Sequence, residues 1–388
     1  MRVPVGPRVD DVANAVRASA ANELDLILDD LEAWVNCDSP SSDAAALSEV
    51  VELISERLQR YGATIDVQRV EGGPALRAVA HGQGRRRIAL LCHHDTVFPR
   101  GTAGARPFAR SGDAAIGPGV ADMKGGIAVA AHVLRLLKRS HAYAFGRLEL
   151  ISLPDEEIRS VPFPGIGDLV GCDAVFCMEC GRPGDGIVTA RKGGDWVTVT
   201  GRGRAAHAGV APSDGRSALL AACREALRIA DLDGQREGLG VHVTMLHAGE
   251  GLASVASSAS MMLDLRGWHA EDLDWVLGEI GRFGRHDSIE FAASSSGRVP
   301  PLERTLGVKR LASLAVAIGD ALGTPVHEVA TGGLSDACWT AAAGIPTLDG
   351  LGPIGGYDHS PDEVIEVPSI AARCGLVAGL IAGVELER

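Results

Sequence analysis

What this 388-residue chain lacks narrows its function before any motif is read. Its 37 Lys and Arg are outnumbered by 50 Asp and Glu, a net charge of −13, so no basic face is expected and no nucleic-acid partner. Short positive clusters, Arg85-Arg86-Arg87 and Arg202 with Arg204, read as solvated loop residues. No stretch is long and apolar enough to span a bilayer, and Met1 to Ala20 is charged without an apolar h-region. A cytoplasmic location with no membrane partner is therefore the expectation. The glycines between Gly117 and Gly126 are followed by no Lys-Ser/Thr pair, and no G-x-G-x-x-G occurs, which argues against nucleotide binding. Cys177-x-x-Cys180 has no second pair nearby, and the eight cysteines are scattered in apolar surroundings. Reduced core thiols are expected, not a disulfide framework or a cysteine-held zinc. Repeats, low-complexity tracts and long linkers are absent as well.

What is present is a series of short motifs that place acids and histidines at strand ends. The apolar run Ile88 to Leu91 reads as a buried strand and delivers Cys92-His93-His94-Asp95 at its carboxyl end. Side chains two apart on a strand share a face, so Asp95 can hold the second nitrogen of His93 while His94 points away. In Gly117-Pro118-Gly119-Val120-Ala121-Asp122 the glycines permit a tight turn that leaves Asp122 projecting at the start of a helix. Asp155-Glu156-Glu157 follows the strand-like run Leu148 to Leu153. Three consecutive carboxylates repel unless solvated or metal-bound, and neighbours in extended chain face opposite ways, so one of Glu156 and Glu157 can bind metal while the other handles protons. Glu179 closes the apolar stretch Ala174 to Met178, where an unpaired carboxylate would be costly, and His359 lies in a Gly-rich turn. Each piece alone is ordinary loop chemistry. Together His93, Asp122, Glu157, Glu179 and His359 supply the imidazole and carboxylate mixture expected for two divalent ions, zinc or else manganese or cobalt, in a hydrolytic site.

The chain exceeds one comfortable core, and its 46% hydrophobic content can supply two. Helical patterns at Val9 to Val35 and Asp43 to Tyr61 precede strands at Thr64 to Val70, Leu76 to Ala80 and Ile88 to Cys92. A helix from Gly126 to Lys138 and strands at Leu148 to Leu153 and Ala174 to Met178 follow. Such alternation predicts an α/β domain with a mostly parallel sheet flanked by helices and reactive groups at the strands' carboxyl ends. From about Gly194 the order becomes β-α-β-β-α-β, the ferredoxin-like plan of an inserted unit. The expected division is a discontinuous metal-binding catalytic domain, 1–193 and 304–388, and an inserted unit, 194–303.

From about Asp43 onward, in motif content and motif order, the chain resembles the M20 metallopeptidases. That resemblance implies that His93, Asp122 and Glu179 bind one metal and Asp122, Glu157 and His359 the other, with Asp122 bridging. Glu156 matches the family's general base, and Asp95 the carboxylate that orients the first histidine. The inserted unit then corresponds to a lid that commonly pairs two subunits, so a homodimer is expected. His207 looks like the histidine that reaches the partner's site to steady a developing oxyanion. Arg266 looks like the residue that grips the substrate carboxylate, Gly332 and Gly333 line its pocket, and Arg298 adds a further positive contact. Several positions depart from the pattern: Ala253 replaces a lid asparagine, Ile187 stands where a glutamate carboxypeptidase has lysine, Arg159 replaces a glycine, and Cys180 a proline. The implied activity is hydrolysis of the amide of a small N-acyl amino acid or dipeptide with a free carboxylate. Alternatives are attack on another C–N bond, as in an aminoaromatic acid, or a non-catalytic, metal-stabilised binding protein.

Overall fold

In the computed structural model, which describes residues 7–139, 145–159, 161–286 and 288–384, the apolar runs become the middle of one sheet. Its six strands lie in the order Thr64–Val70, Gly73–His81, Phe145–Leu153, Arg86–His93, Ala174–Cys177, Thr347–Leu348. The last four run parallel to one another, with Leu90 in register between Leu150 and Phe176, all fully buried. Strands buried on both faces are apolar throughout, which is why these runs carry no alternation. The Thr64–Val70 and Gly73–His81 hairpin joins the other edge in antiparallel fashion, so the sheet is parallel only across the four strands that include those carrying the reactive groups.

Helices cover this sheet. Ala44–Arg60 starts where Asp43 accepts hydrogen bonds from the amides of Ala45 (3.1 Å) and Ala46 (3.0 Å), an N-cap. The pattern from Val9 to Val35 is two helices, Pro7–Asn22 and Leu24–Val35. They part at Glu23, whose carboxylate is held by Arg135 (2.6 Å) and Arg139 of the Gly125–Arg139 helix. That last helix lies so close to the sheet that a Cβ on Gly126 would stand 1.9 Å from the carbonyl oxygen of Met178, a position only glycine can fill. A small sheet not anticipated from the sequence has the order Gly355–Gly356, Val364–Glu366, Ala114–Ile116, Ala109–Ser111. Its strands are two or three residues long, too short to show a period. Pairing of Val364–Glu366 with Ala114–Ile116 brings the loops of His359 and Asp122 side by side, 237 residues apart in sequence.

Chain contacts divide the molecule into two compact units. One takes the described residues up to Thr189, Arg304–Thr331 and those from Ser335 onward; the other takes Ala190–Glu303 with Gly332–Leu334. In the second unit the strands lie in the order Gly240–Ala248, Ser258–Gly267, Gly193–Arg202, Glu290–Val299, every pairing antiparallel. The Ala218–Ala230 and Ala270–Ile280 helices pack on it through Ala222, Ile229, Leu273 and Val276, which meet Val197, Val199, Met261 and Leu263. Ser217 caps the first of these helices by accepting from the Leu220 amide (3.2 Å). No disulfide joins the described cysteines. Among the described residues no helix is long and apolar enough to cross a membrane.

Candidate metal centre

Three neighbouring parallel strands end at one place. His93 is the last residue of Arg86–His93, and Glu179 follows Ala174–Cys177 by two residues. On the other side Phe145–Leu153 leads into a short 3-10 turn, Glu156–Ile158, carrying Glu156 and Glu157. Asp122 arrives from a tight turn at Gly119, where φ is +75° and a Cβ would meet Thr96 at 2.7 Å. The backbone at Asp122 is extended, and the Asp122–Met123 peptide is cis. His359 lies in the left-handed region at φ +63°, uncommon for a residue with a side chain and costing on the order of 1 kcal/mol. That conformation aims its ring at Asp122 and Glu157.

The five side chains converge as two groups that share Asp122. In each of His93, Asp122, Glu179 and Asp122, Glu157, His359 the donor atoms lie within 4.8 Å of one another. One Asp122 oxygen is 3.0 Å from His93 Nε2, and the other is 3.1 Å from His359 Nε2. Glu179 stands 3.6 Å from His93 Nε2, and Glu157 3.0 Å from His359 Nε2. The Glu156 carboxylate is farther off, 4.0 Å from His93 Nε2, and largely buried. His94 points the other way and meets the Ser152 hydroxyl at 3.0 Å.

A second layer fixes these groups. Asp95 lies 3.3 Å from His93 Nδ1 and also accepts from the Ser41 hydroxyl (2.7 Å) and the amides of Glu156 and Glu157 (both 3.2 Å). One carboxylate thus orients the imidazole and the acidic turn together. Glu363, fully buried, does the same for Asp122: it accepts from the amides of Gly119 (2.9 Å), Ala121 (2.8 Å) and Asp122 (3.0 Å). Sequence reasoning passed over both Ser41 and Glu363. Glu363 acts on backbone amides from more than 240 residues away, and the only signal was an acid four positions after His359.

The charges are out of balance. Burial opposes a charge on His93, yet Asp122 and Asp95 raise its imidazole well above the usual range. Asp122, and then Glu157, pull His359 up to about 11. Burial pushes the Glu156 carboxyl well above the usual carboxylate range, and Glu179 and Asp336 add to the shift. Glu157 Oε1 is buried with no hydrogen-bond partner. Three carboxylates around two imidazoles, one oxygen of which has no donor, is a set short of positive charge, and it fits divalent cations by donor type.

The sequence profile of peptidase family M20/M25/M40 matches residues 89–383. The chain belongs to that family. Carboxypeptidase G2 of Pseudomonas sp. (strain RS-16) is 30% identical over 383 residues, covering 95% of this chain and 91% of that protein. Succinyl-diaminopimelate desuccinylase of Xanthomonas oryzae pv. oryzae (strain MAFF 311018) is 29% identical over 334 residues, 79% of this chain and 86% of that one. Aminopeptidase PepT from Bacillus cereus ATCC 10987 has the same fold, with a TM-score of 0.76 at 20% identity over 93% of this chain and 98% of that one. This M20 protein is accordingly a metallohydrolase, acting on peptide or amide bonds with the help of metal.

The remaining candidate residues of the M20 enzyme lie in its second unit, where the histidine and both arginines already have local partners. His207 is exposed, and its Nδ1 accepts from the amides of Gly209 and Val210 (both 3.2 Å). Arg266 holds Asp264 through two bonds (2.7 and 3.0 Å) and lies 5.3 Å over the Trp196 ring. Arg298 donates to Asp274 (2.6 Å) and the Ala270 carbonyl (3.0 Å) and is 4.0 Å from buried Asp195. Gly332 and Gly333 are exposed in the turn before the Ala337–Ala342 helix, and Arg191 donates to the carbonyl of Gly333 (3.2 Å).

Proposed function

We propose that this M20 enzyme cleaves the amide of a small N-acyl amino acid or dipeptide bearing a free carboxylate. The observation that carries the reading is Asp122 lying between two imidazoles, each with its own further carboxylate, beside a Glu156 that belongs to neither group. His93, Asp122 and Glu179 would hold one ion, and Asp122, Glu157 and His359 the other. When bound there, divalent ions, zinc by donor type with manganese or cobalt as alternatives, supply an acidified water and a polarised carbonyl. Glu156 takes the proton from the attacking water and returns it to the leaving amine, the task its high proton affinity suits. Asp95 holds His93 in the tautomer that presents Nε2 to Asp122.

The second unit serves as the ferredoxin-like lid and pairing surface of a homodimer. Because two amides donate to His207 Nδ1, the ring's proton sits on Nε2, a donor suited to an oxyanion in the partner subunit's site. Arg266 receives the substrate carboxylate by exchanging Asp264 for it, with Gly332 and Gly333 lining the same pocket, whereas Arg298 bonds the Ala270–Ile280 helix on the sheet's other face and takes no part. Leu220, Leu227 and Leu252, exposed by 59%, 71% and 107%, give that unit an apolar surface to cover.

The test is metal content by elemental analysis followed by mass-spectrometric product identification on N-acyl amino acids, dipeptides and aminoaromatic acids. Amide cleavage that disappears in Glu156→Gln supports the reading. Filled metal sites with no turnover of any N-acyl amino acid or dipeptide would defeat it.

A further inference from the structure

Arg159 directly follows the Glu156–Ile158 turn and, in a site expected to take a carboxylate substrate, reads from sequence as narrowing or recharging the mouth. The structure gives its guanidinium other work. Nη2 donates to both oxygens of Asp336 (2.6 and 2.8 Å), and Nε donates to Asp155 (3.0 Å). Nη1 reaches the Val161 carbonyl at 3.5 Å, and the group lies 5.5 Å over the Phe163 ring. The side chain is 4% exposed, and those of Asp155 and Asp336 are 13% and 5% exposed. No face of the fork remains for a ligand. We infer that Arg159 is a positioning residue that fastens the turn bearing Glu156 and Glu157 to Asp336, and that it does not grip substrate.

Asp155 directly precedes Glu156, and Asp336 opens the Ala337–Ala342 helix, so one guanidinium spans the acidic turn and a separate element of the same unit. Asp95 holds the turn from its other side through the amides of Glu156 and Glu157. Without Arg159 two buried carboxylates would face each other beside a third, Glu156, and the turn would move away from Asp336. Glu157 would move with it and leave His359. A buried pair of this kind adds little net stability over apolar neighbours, so its expected effect is on the ligand and base it holds.

This inference rests on the two-metal reading above, and the test separates the two. Zinc affinity is measured by chelator competition on metal-free protein for the parent, Arg159→Met, Asp336→Asn and the double variant, with the melting temperature of each metal-free protein. Kinetics follow on whichever N-acyl amino acid the parent cleaves. Arg159→Met should bind zinc about tenfold more weakly, the order seen when a group behind a metal ligand is lost. The double variant should bind zinc no more weakly than Arg159→Met, because the two residues act as one tether and Asp336 no longer adds an unmatched charge. Arg159→Lys should regain the lost affinity only in part, since an ammonium cannot make the two-oxygen contact, and kcat should fall more than KM rises. If Arg159→Met fails to fold, Asp336→Asn carries the test and should weaken zinc by a smaller factor in the same direction. A parent that binds zinc while both single variants match it overturns this inference alone, as does a rise in KM with kcat and zinc affinity unchanged. A parent that binds no zinc overturns the metal reading with it.

Discussion

Glu225 in one unit and Glu157 in the other are both acids with side chains almost fully buried, 1% and 6% exposed, and each lies against a histidine. Glu225 meets His286, Arg228 (2.7 Å) and the Gly284 amide (2.8 Å), and these contacts outweigh its burial and hold its carboxyl below the usual range. Glu157 meets His359, but burial and then the charge of Asp122 push it above that range, and one of its oxygens has no donor. The first arrangement is complete in itself. The second is short of positive charge, and that shortage marks where something from outside belongs.

If the contrast is right, substitutions at the incomplete cluster change metal binding and turnover, whereas those at the complete one change only stability. The largest effect is expected from Asp122→Ala, which removes the carboxylate both groups share: elemental analysis should find both ions lost and turnover abolished. Glu156→Gln should lower kcat about 10³-fold while zinc content stays at the parent's level, because Glu156 lies outside both donor groups and is the proposed proton carrier. Glu363→Gln turns an amide donor toward one of the amides that the carboxylate now accepts, loosening Asp122. Zinc affinity by chelator competition should fall about tenfold.

The smallest effect belongs to the complete cluster. Glu225→Gln should cost about 2 kcal/mol in urea unfolding at pH 7 and leave zinc affinity unchanged. Because the folded-state pKa of Glu225 is depressed, its contribution is full above the unfolded value of about 4.3 and is lost as pH falls through the lower folded one. The parent should therefore lose stability in acid more steeply than Glu225→Gln. A change in zinc binding on altering Glu225 would break the comparison.

Much of the incomplete cluster was legible because strands announce themselves by apolar runs, and a polar residue closing such a run is conspicuous. His93, Glu179 and the pair Glu156-Glu157 stand out in that way, and only the family resemblance chooses between the two glutamates. Asp122 and His359 stood out by their glycine-rich turns, yet nothing local said that the turns meet; that follows from a small sheet of two- and three-residue strands. Glu363 and Ser41 stayed hidden because their partners are backbone amides and a distant carboxylate. Arg159 was conspicuous, but its role lies with Asp336, 177 residues away. In the second unit the order of strands and helices was readable from periodicity, and so was the pairing of Arg266 with Asp264, since an Asp-x-Arg on one strand shares a face; the partners of Arg298 come from a separate helix and leave no sequence pattern.

The central claim is that Asp122 joins two cation sites, and anomalous diffraction from zinc-soaked crystals tests it most directly. Two peaks are expected, one among His93, Asp122 and Glu179 and one among Asp122, Glu157 and His359, both vanishing in Asp122→Ala. Crystals that show no zinc at these side chains, or that keep both peaks without the Asp122 carboxylate, would contradict it.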